Sequence, residues 1–453
     1  MDKTIAAIST PYGEGGIGII RISGEKSKEI TEKIFKGKSL KDRIMTYGHI
    51  IDPESGDVVD EVLTVYMKAP KTYTCEDIVE INCHGSTVSL RKTLDLVLKN
   101  GARLAEEGEF TKRAFLNGRL DLSQAEAVID IIKAKTDKTF DVAMDQLEGK
   151  LSEKIKEIRK KFTDILVNIT VNIDYPDEDI EEIVYGDLYK NLTQINDEIE
   201  KLIATEGTGK IISEGLRISI IGKPNVGKSS LMNALLNENR AIVTSIPGTT
   251  RDIIEEKMSI SNIPVVITDT AGIRDTDDQI EKIGIEKSKK SFNSADLVIF
   301  MVDASSQLTP EDMEIASYIG ERKAIILGNK VDAGKNANMA ELMKKIPNSV
   351  LIETSMVEGK GIKELSEEIE KLVYGGEVKQ KSSLIITNAR HLQLLRDANS
   401  SMNDAIRMTQ REEALEFIEV DVKRAYEKLG EIIGETVADD IINEVFKRFC
   451  LGK

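Results

Sequence analysis

The chain has 453 residues, of which 40% are hydrophobic and 31% are charged, and its formal net charge is -16. This composition is typical of a globular protein with roughly two to four domains. The negative charge disfavours a broad basic surface for nucleic acid, although it is compatible with a local basic patch. We expect no membrane span, because no apolar run approaches ~18 residues, and no signal peptide. The three cysteines, Cys75, Cys83 and Cys450, indicate a cytoplasmic protein without disulfides.

The first segment, residues 1–118, alternates short β-type runs with turns. Ile17 to Ile22, Val62 to Met67 and Ile78 to Asn82 are predicted strands, and Thr87 to Leu98 is a predicted helix. The glycine-rich run Gly13 to Gly18 lacks the Lys-Ser/Thr pair of a phosphate-binding loop, so we interpret it as a turn before a strand, or as a close approach to a ligand. We predict a small α+β domain.

Two segments, residues 119–213 and 377–453, have a helical and highly charged pattern. In the first of them, Ser123 to Lys135 and Leu151 to Ile169 carry apolar residues at helical spacing. Because neither segment is expected to form an independent domain, we predict one discontinuous helical domain that is built from both.

Between these segments, residues 214–376 alternate short β-branched runs with helical stretches, which predicts a parallel sheet with crossover helices. The simplest architecture is an α/β domain inserted into the helical domain, with Gly375-Gly376 as one hinge. The predicted strands are Arg217 to Ile221, Val265 to Thr268, Leu297 to Val302, Ala324 to Leu327 and Ser349 to Ile352.

A complete phosphate-binding motif, G-x-x-x-x-G-K-[ST], begins at Gly222, between a predicted strand and the predicted helix Ser229 to Leu236. Its glycines allow backbone N–H groups to turn toward phosphate oxygens, and the helix N-terminus adds a favourable dipole. Lys228 is expected to reach the β- and γ-phosphates, and Ser229 to bind Mg²⁺. The predicted nucleotide contacts in this loop are Asn225, Val226, Gly227, Lys228, Ser229 and Ser230.

The segment Asn329-Lys330-Val331-Asp332 follows a later strand and predicts specificity for guanine. The carboxylate of Asp332 can accept hydrogen bonds from the ring N–H and the 2-amino group of guanine. Adenine lacks that amino group, and the resulting mismatch costs ~1–3 kcal/mol or more. The stem of Lys330 is expected to cover the base. Thr354-Ser355-Met356 is the expected loop behind it, although Met356 departs from the usual Ser-Ala pattern.

Two further segments are expected to contact Mg²⁺ and the γ-phosphate. Asp269 would hold Mg²⁺ through water, and the amide of Gly272 would contact the γ-phosphate, within the set Asp269, Thr270, Ala271 and Gly272. Upstream, Thr250 is assigned to Mg²⁺, with Thr249 as the alternative. The predicted nucleotide contacts there are Thr244, Ser245, Ile246, Pro247, Gly248, Thr249 and Thr250.

Ile273 occupies the position where many small GTPases place a glutamine that orients the attacking water. Isoleucine cannot do this, so another group must orient the water and another positive charge is required. Arg251 and Arg274 lie nearby, but neither is an obvious arginine finger. A monovalent cation bound by Asn225 is one possibility, and a loop-stabilising role for this side chain is the other. Glu281 is the candidate for orienting the attacking water. The alternative is that Glu281 is an ordinary solvated carboxylate on a helix.

Together these motifs resemble the bacterial tRNA-modification GTPases of the MnmE (TrmE) family, and the resemblance covers the whole chain. It rests on Ile17 to Gly24, Gly108 to Arg113, Ala114 to Ala127, Asp269 to Arg274 and the ending Phe449-Cys450-Leu451-Gly452-Lys453. The resemblance implies a homodimer that acts on tRNA with the FAD-containing protein MnmG (GidA). The implied reaction adds a carboxymethylaminomethyl or aminomethyl group to C5 of the wobble uridine. The implied one-carbon donor is 5,10-methylenetetrahydrofolate or formyl-tetrahydrofolate.

The resemblance also implies roles for individual residues. Glu281 would orient water, and Cys450 would act in the modification chemistry as a nucleophile or a redox thiol. Mg²⁺ would be held by Ser229 and Thr250, and an activating K⁺ by Asn225, Thr244, Ile246 and Thr249. Folate would contact Arg21, Glu80, Arg119 and Lys453.

Some alternatives stay open at this point. From the residues alone, Cys450 could equally have a purely structural role, as a small apolar residue in a terminal helix. Cys75 and Cys83 are interpreted as structural. One alternative function is an Era-like ribosome-assembly GTPase that chiefly binds RNA. No KH-like G-x-x-G loop follows the GTPase region, and the chain is acidic, which disfavours it. The other is a folate-binding scaffold whose GTPase only regulates.

Overall fold

The computed structural model describes residues 3–175, 184–238, 255–268, 292–374, 384–450 and 452. Contacts divide the chain into two compact units. One comprises Met1–Ile132, Ala143–Asn196 and Asp397–Lys453, and the other Lys133–Val142 and Asp197–Arg396. The second unit extends beyond the predicted inserted domain of residues 214–376. The predicted boundaries stay predictions, and Gly375-Gly376 lies outside the described residues.

The N-terminal segment forms a seven-stranded sheet within the described residues, in the order β3-β4-β5-β6-β2-β1-β7. Neighbouring strands are antiparallel, except that β1 and β7 are parallel. The bounds are β1 (Ile5–Ile8), β2 (Gly15–Ser23), β3 (Phe35–Gly37), β4 (Thr46–Ile51), β5 (Val58–Met67), β6 (Ile78–Gly85) and β7 (Arg103–Leu104). The predictions of β2, β5 and β6 are confirmed.

The glycine-rich run needs a correction, because Gly15 and Gly18 already belong to β2 rather than to a turn before it. The register between β2 and β6 shifts between these two glycines. The approach is close: a Cβ added at Gly85 of β6 would lie 2.3 Å from the carbonyl oxygen of Gly15. The glycines therefore allow two backbones to approach each other.

Two helices cover one face of this sheet and form its core. They are α1 (Ser27–Ile34) and α2 (Thr87–Lys99), and α2 confirms the predicted helix. Ile20 and Ile22 of β2 pack with Val97 of α2, and all three are fully buried. A third helix, α3 (Glu109–Leu116), places Phe110 against Ile5 and Ala7 of β1.

A helical run follows, consisting of α4 (Leu122–Lys133), α5 (Asp137–Leu147), α6 (Lys150–Asp174), α7 (Tyr185–Ile203) and α8 (Glu206–Glu214). The two helices predicted in this segment correspond to α4 and α6. In the second unit, Gly209 of α8 packs on the backbone near Ile386, where an added Cβ would lie 1.8 Å from the Ile386 oxygen.

The α/β part contains a six-stranded sheet within the described residues, in the order β13-β12-β11-β8-β10-β9. All five predicted strands are confirmed. The sheet is not wholly parallel, since β9 pairs antiparallel with β10. The strands are β8 (Leu216–Ile221), β9 (Glu255–Ile260), β10 (Ile263–Thr268), β11 (Leu297–Asp303), β12 (Ala324–Asn329) and β13 (Ser349–Glu353). The helices are α9 (Lys228–Glu238), α10 (Pro310–Ile319), α11 (Met339–Lys345) and α12 (Ile362–Tyr374).

Helices cover both faces of this sheet, as its apolar strands predict. Ile299, Phe300 and Met301 of β11 are consecutive and fully buried, and they point to opposite faces. Because β8, β11, β12 and β13 are parallel, the loops at their carboxyl ends meet at one edge. Ligands of open α/β sheets bind at this edge.

The chain ends with α13 (Ala389–Gln410), α14 (Leu415–Ile433) and α15 (Asp439–Phe446). Helix α14 packs on α6, where the guanidinium of Arg159 lies 4.1 Å from the centre of the Tyr426 ring and pairs with Glu435. The parts of the two helical flanks that contain α6 and α14 therefore lie in the first unit, whereas residues 197–213 and 384–396 belong to the second. No helix within the described ranges is long and apolar enough to cross a membrane.

Candidate functional site

The loop after β8 is shaped by two glycines that no other residue could replace without strain. Gly222 has φ +149° and Gly227 has φ +109°, both disfavoured for residues with a Cβ. A Cβ at Gly222 would lie 2.3 Å from the carbonyl oxygen of Met301, and one at Gly227 would lie 2.3 Å from Nδ2 of Asn329. The loop is therefore pressed against the ends of β11 and β12.

Lys228 folds back over this loop from the first position of α9. Its Nζ donates to the carbonyl oxygens of Gly222 at 2.6 Å and Lys223 at 2.7 Å. The next two residues, Ser229 and Ser230, are exposed at the helix N-terminus, where backbone N–H groups and the helix dipole favour an anion. The ammonium of Lys228 therefore lies against the backbone of the loop, and Ser229 and Ser230 follow it at the exposed start of α9.

A neighbouring ion pair between Lys223 and Asp312 supports the loop, and no sequence motif predicted it. Nζ of Lys223 lies 2.7 Å from Oδ2 of Asp312, which is 1% exposed, and donates to Oγ1 of Thr309 at 2.9 Å. Thr309 and Asp312 form a capping box at the start of α10. The pattern Thr-Pro-Glu-Asp after a strand is a recognisable signal for such a cap, although it does not identify the lysine.

Asn329 connects the phosphate-binding loop to the predicted base loop. It is 3% exposed, and its Nδ2 donates to the carbonyl oxygen of Val226 at 2.8 Å. Its Oδ1 accepts from the backbone N–H of Met356 and from Oγ1 of Thr354, both at 3.3 Å. Since Met356 contributes its backbone here, its departure from the Ser-Ala pattern does not remove this contact.

Lys330 and Asp332 follow at the rim of the same edge. Lys330 has φ +64°, and its Nζ lies 2.7 Å from Oδ2 of Asp303. Burial alone raises the pKa of Asp303, but hydrogen bonds from Lys330 and Ser305 outweigh it and lower that pKa. Asp332 is exposed, and the backbone N–H of Val331 donates to the Thr354 oxygen at 3.3 Å.

Several predicted residues lie outside the described residues. They are Thr244, Ser245, Ile246, Pro247, Gly248, Thr249, Thr250, Asp269, Thr270, Ala271, Gly272, Glu281 and Lys453, together with Arg251, Ile273 and Arg274. Within the described part of the chain, no group of three or more His, Cys, Asp or Glu residues could hold a metal.

A second cluster surrounds Tyr73 in the N-terminal domain. Arg21 and Glu80 are register partners on β2 and β6 and form an ion pair at 2.9 Å. The guanidinium of Arg21 lies 5.7 Å from the centre of the Tyr73 ring, and that of Arg119 lies 4.8 Å from it. Three of the four residues predicted to bind folate are thus brought together.

Tyr73 itself is half-buried and anchored. Its hydroxyl is 2.8 Å from Oγ1 of Thr111, and its carbonyl oxygen accepts from the guanidinium of Arg119 at 3.1 Å. Burial raises the pKa of the Tyr73 hydroxyl, and the hydrogen bond from Thr111 and the charges of Arg119 and Arg21 only partly oppose this. The ring is a fixed, neutral surface between two cations.

The three cysteines differ in their surroundings. Cys83 is buried, which raises its pKa to about 12, as expected for a structural cysteine rather than a reactive thiolate. Cys75 is half-buried, and Cys450 is exposed. Close to Cys450, Gly452 lies against β1, where Oγ of Ser9 donates to its carbonyl oxygen at 3.1 Å.

Loops with these spacings and these mutual hydrogen bonds, at the carboxyl edge of a mainly parallel sheet, place the chain among the P-loop GTPases. Two family models match it. The model described as "MnmE helical domain" covers residues 122–450, and "GTP-binding protein TrmE N-terminus" covers residues 4–119. The chain belongs to the MnmE (TrmE) family of tRNA modification GTPases.

Similar proteins extend over the full chain. The tRNA modification GTPase MnmE of Alkaliphilus oremlandii (strain OhILAs) is 52% identical over 459 residues, covering 100% of each chain. That of Clostridioides difficile (strain 630) is also 52% identical with the same coverage. Among solved structures, an Era variant from Aquifex aeolicus bound to GDP.AlF4- is 29% identical over 41% of this chain and 66% of that chain, with a TM-score of 0.28.

Proposed function

We propose that this tRNA modification GTPase hydrolyses GTP in a K⁺-dependent manner and acts with the FAD-containing protein MnmG (GidA) in the cytoplasm. The pair adds a carboxymethylaminomethyl or aminomethyl group to C5 of the wobble uridine, and a tetrahydrofolate derivative supplies the one-carbon unit. The chain acts as a homodimer. The full-length identity of 52% to proteins of this name carries the proposal.

The geometry of the phosphate-binding loop supports GTP and Mg²⁺ as ligands. Gly222 and Gly227 have positive φ values and no Cβ, so the backbone N–H groups of the loop can turn toward phosphate oxygens. Lys228 exchanges its two carbonyl partners for phosphate oxygens, and the Ser229 hydroxyl is the proposed ligand of Mg²⁺, which would neutralise phosphate charge when bound. Asp332 accepts hydrogen bonds from guanine, while Asn329 fixes the distance between the phosphate and base loops.

Asn225 is the one described member of the proposed K⁺ ligand set. Its φ of +64° is a conformation that asparagine tolerates better than most residues. Its side chain is exposed and has no hydrogen-bond partner among the described residues. This exposure leaves the amide oxygen accessible to a cation. Thr244, Ile246 and Thr249 complete the proposed set, with Thr250 on Mg²⁺ and Glu281 orienting water.

GTP turnover in K⁺ and in Na⁺ buffers tests the cation. We expect faster hydrolysis in K⁺, and we expect Asn225→Gly to lose this stimulation because glycine keeps the backbone conformation but removes the oxygen. Asn225→Asp, which retains an oxygen, is the matched control and keeps part of the stimulation. Equal rates in both salts for the wild-type chain contradict the K⁺ proposal.

The cluster around Tyr73 supports folate binding. The carboxylate of Glu80 can accept hydrogen bonds from the amino and N–H groups of a pterin, and the cation of Arg119 can pair with a glutamyl carboxylate. Arg21 neutralises Glu80 at 2.9 Å, and Lys453 is the fourth proposed contact. Cys450 is proposed to act in the modification chemistry.

Mass spectrometry of the wobble uridine tests the reaction itself. A strain that lacks this chain is expected to accumulate unmodified wobble uridine, and the wild-type chain is expected to restore the modification. Cys450→Ser is expected to fail, whereas Cys83→Ser is the control because Cys83 is buried away from solvent. Full modification by the Cys450→Ser variant would remove the chemical role of this thiol.

A further inference from the structure

An open cleft of about 530 Å³ adjoins the Tyr73 cluster. Tyr73 and Arg119 line it, so it is continuous with the proposed folate site. Its other walls include Pro70, Lys71 and Asn117. Asn117 fixes one wall, because its Nδ2 donates to the carbonyl oxygen of Thr74 at 2.6 Å.

The cleft is positively charged. Its charged lining residues, Lys71 and Arg119, are both cations, and no carboxylate lines it among the described residues. A third cation lies at the rim, where a guanidinium nitrogen of Arg43 donates to the carbonyl oxygen of Lys71 at 2.6 Å. The ammonium of Lys71 has no ion-pair partner in the described part of the chain. In a chain of net charge -16, such a cleft favours an anionic ligand.

The acidic residues near the cleft do not neutralise it. Glu76 is engaged by Arg113, whose guanidinium lies 3.0 Å from its carboxylate, and by the hydroxyl of Ser23 at 2.7 Å. The exposed carboxylate of Asp42 lies 3.8 Å from the guanidinium of Arg43, so it reduces the charge at the rim but not inside. Lys71 and Arg119 therefore keep their charges for a ligand.

We propose that this cleft binds the γ-glutamyl tail of a folate, which rests on the proposed folate function. Glu80 pairs with the pterin end, so the carboxylate end of the same molecule reaches Arg119, across the Tyr73 ring. Each additional γ-linked glutamate adds one carboxylate to that end. A tail that continues past Arg119 then meets Lys71 and, at the rim, Arg43.

Titration calorimetry with 5-formyltetrahydrofolate and its triglutamate form tests this, using the full-length chain. An exposed ion pair contributes up to about fivefold in affinity, so we expect the triglutamate to bind about fivefold to tenfold more tightly. Lys71→Gln is expected to remove most of this difference and to leave the affinity for the monoglutamate unchanged. Lys99→Gln, an exposed lysine on α2, is the control and keeps the difference. High salt is expected to reduce the difference as well.

The possible outcomes distinguish a failure of the tail site from a failure of the folate proposal. Equal binding of both forms by the wild-type chain, or equal weakening of both by Lys71→Gln, overturns the tail site while folate binding stands. If neither form binds, the folate proposal fails and the tail site fails with it. If Lys71→Gln weakens binding of tRNA and leaves the ratio of the two folates unchanged, the cleft belongs to tRNA phosphates and the tail site is overturned.

Discussion

The ion pair between Lys223 and Asp312 leads to an unusual prediction: replacing both residues should destabilise the protein less than replacing Lys223 alone. Asp312 is 1% exposed, and its carboxylate accepts from the backbone N–H of Thr309 at 2.9 Å and from its hydroxyl at 2.8 Å. The Lys223 side chain is 18% exposed. If the pair is broken, the lysine can turn to water, whereas the carboxylate cannot. The two single substitutions should therefore differ in cost.

Removing one partner of a buried pair costs about 3–5 kcal/mol. The two hydrogen bonds from Thr309 remain after Lys223→Met, so we expect a loss of about 2–3 kcal/mol. Asp312→Asn keeps an oxygen that can accept from Thr309, and it releases a lysine that is partly exposed to water. We therefore expect this substitution to reduce the stability by about 1 kcal/mol. In the double variant no uncompensated buried charge is left, and we expect it to be more stable than Lys223→Met by about 1 kcal/mol.

Scanning calorimetry of the full-length chain measures these differences. A loss of 2–3 kcal/mol corresponds to a fall of about 4–12 °C in the Tm of a unit of 150–250 residues. Binding of a fluorescent GDP analogue, followed alongside, should weaken in the same order because the pair supports the phosphate-binding loop. Equal losses for the two single variants, or a double variant less stable than both, would refute the reasoning.

Two further predictions use single glycine and histidine positions. Gly227→Ala should abolish GTP binding, because its φ is +109° and the new Cβ would lie 2.3 Å from Asn329; Gly207→Ala, with nothing within 4 Å of an added Cβ, is the control and should bind normally in the same assay. The hydrogen bond with Asp60 raises the pKa of His84. Because the pKa of His84 is higher in the folded than in the unfolded state, protonation of His84 stabilises the folded protein. This stabilisation is fully present at pH values below the unfolded-state pKa of ~6.5 and is lost as the pH rises through the folded-state pKa. The stability difference between the wild-type chain and His84→Gln, from thermal melts between about pH 5.5 and pH 8.5, should therefore shrink with rising pH, and a constant difference would argue against the pair.

The sequence predicted the strands that carry the nucleotide site because parallel strands are apolar on both faces. β11, with Leu297–Asp303, is an example that pattern alone identifies. β9, with Glu255–Ile260, was missed because it begins with two glutamates and a lysine, as edge strands often do. Its antiparallel pairing with β10 could not be read from a run of that composition.

Contacts between distant residues could not be predicted in the same way. Asn329 and Val226 are 103 positions apart, and the motif predicts a base contact for this segment but not the hydrogen bond to the phosphate-binding loop. Likewise, Arg21 and Glu80 are predicted site residues by family resemblance, and their pairing depends on the register between β2 and β6. Such a register is fixed by the whole sheet rather than by local spacing.

We infer that the edge formed by Gly222 to Lys228 and Asn329 to Asp332 selects a guanine nucleotide. Equilibrium binding of GTP and ATP in the presence of Mg²⁺ measures this directly, with Asp332→Ala as the variant. We predict that the wild-type chain prefers GTP by about 5-fold to 150-fold or more, as a mismatch of ~1–3 kcal/mol or more implies, and that the variant loses most of this preference. Equal affinities for both nucleotides, or no binding of GTP, would contradict it.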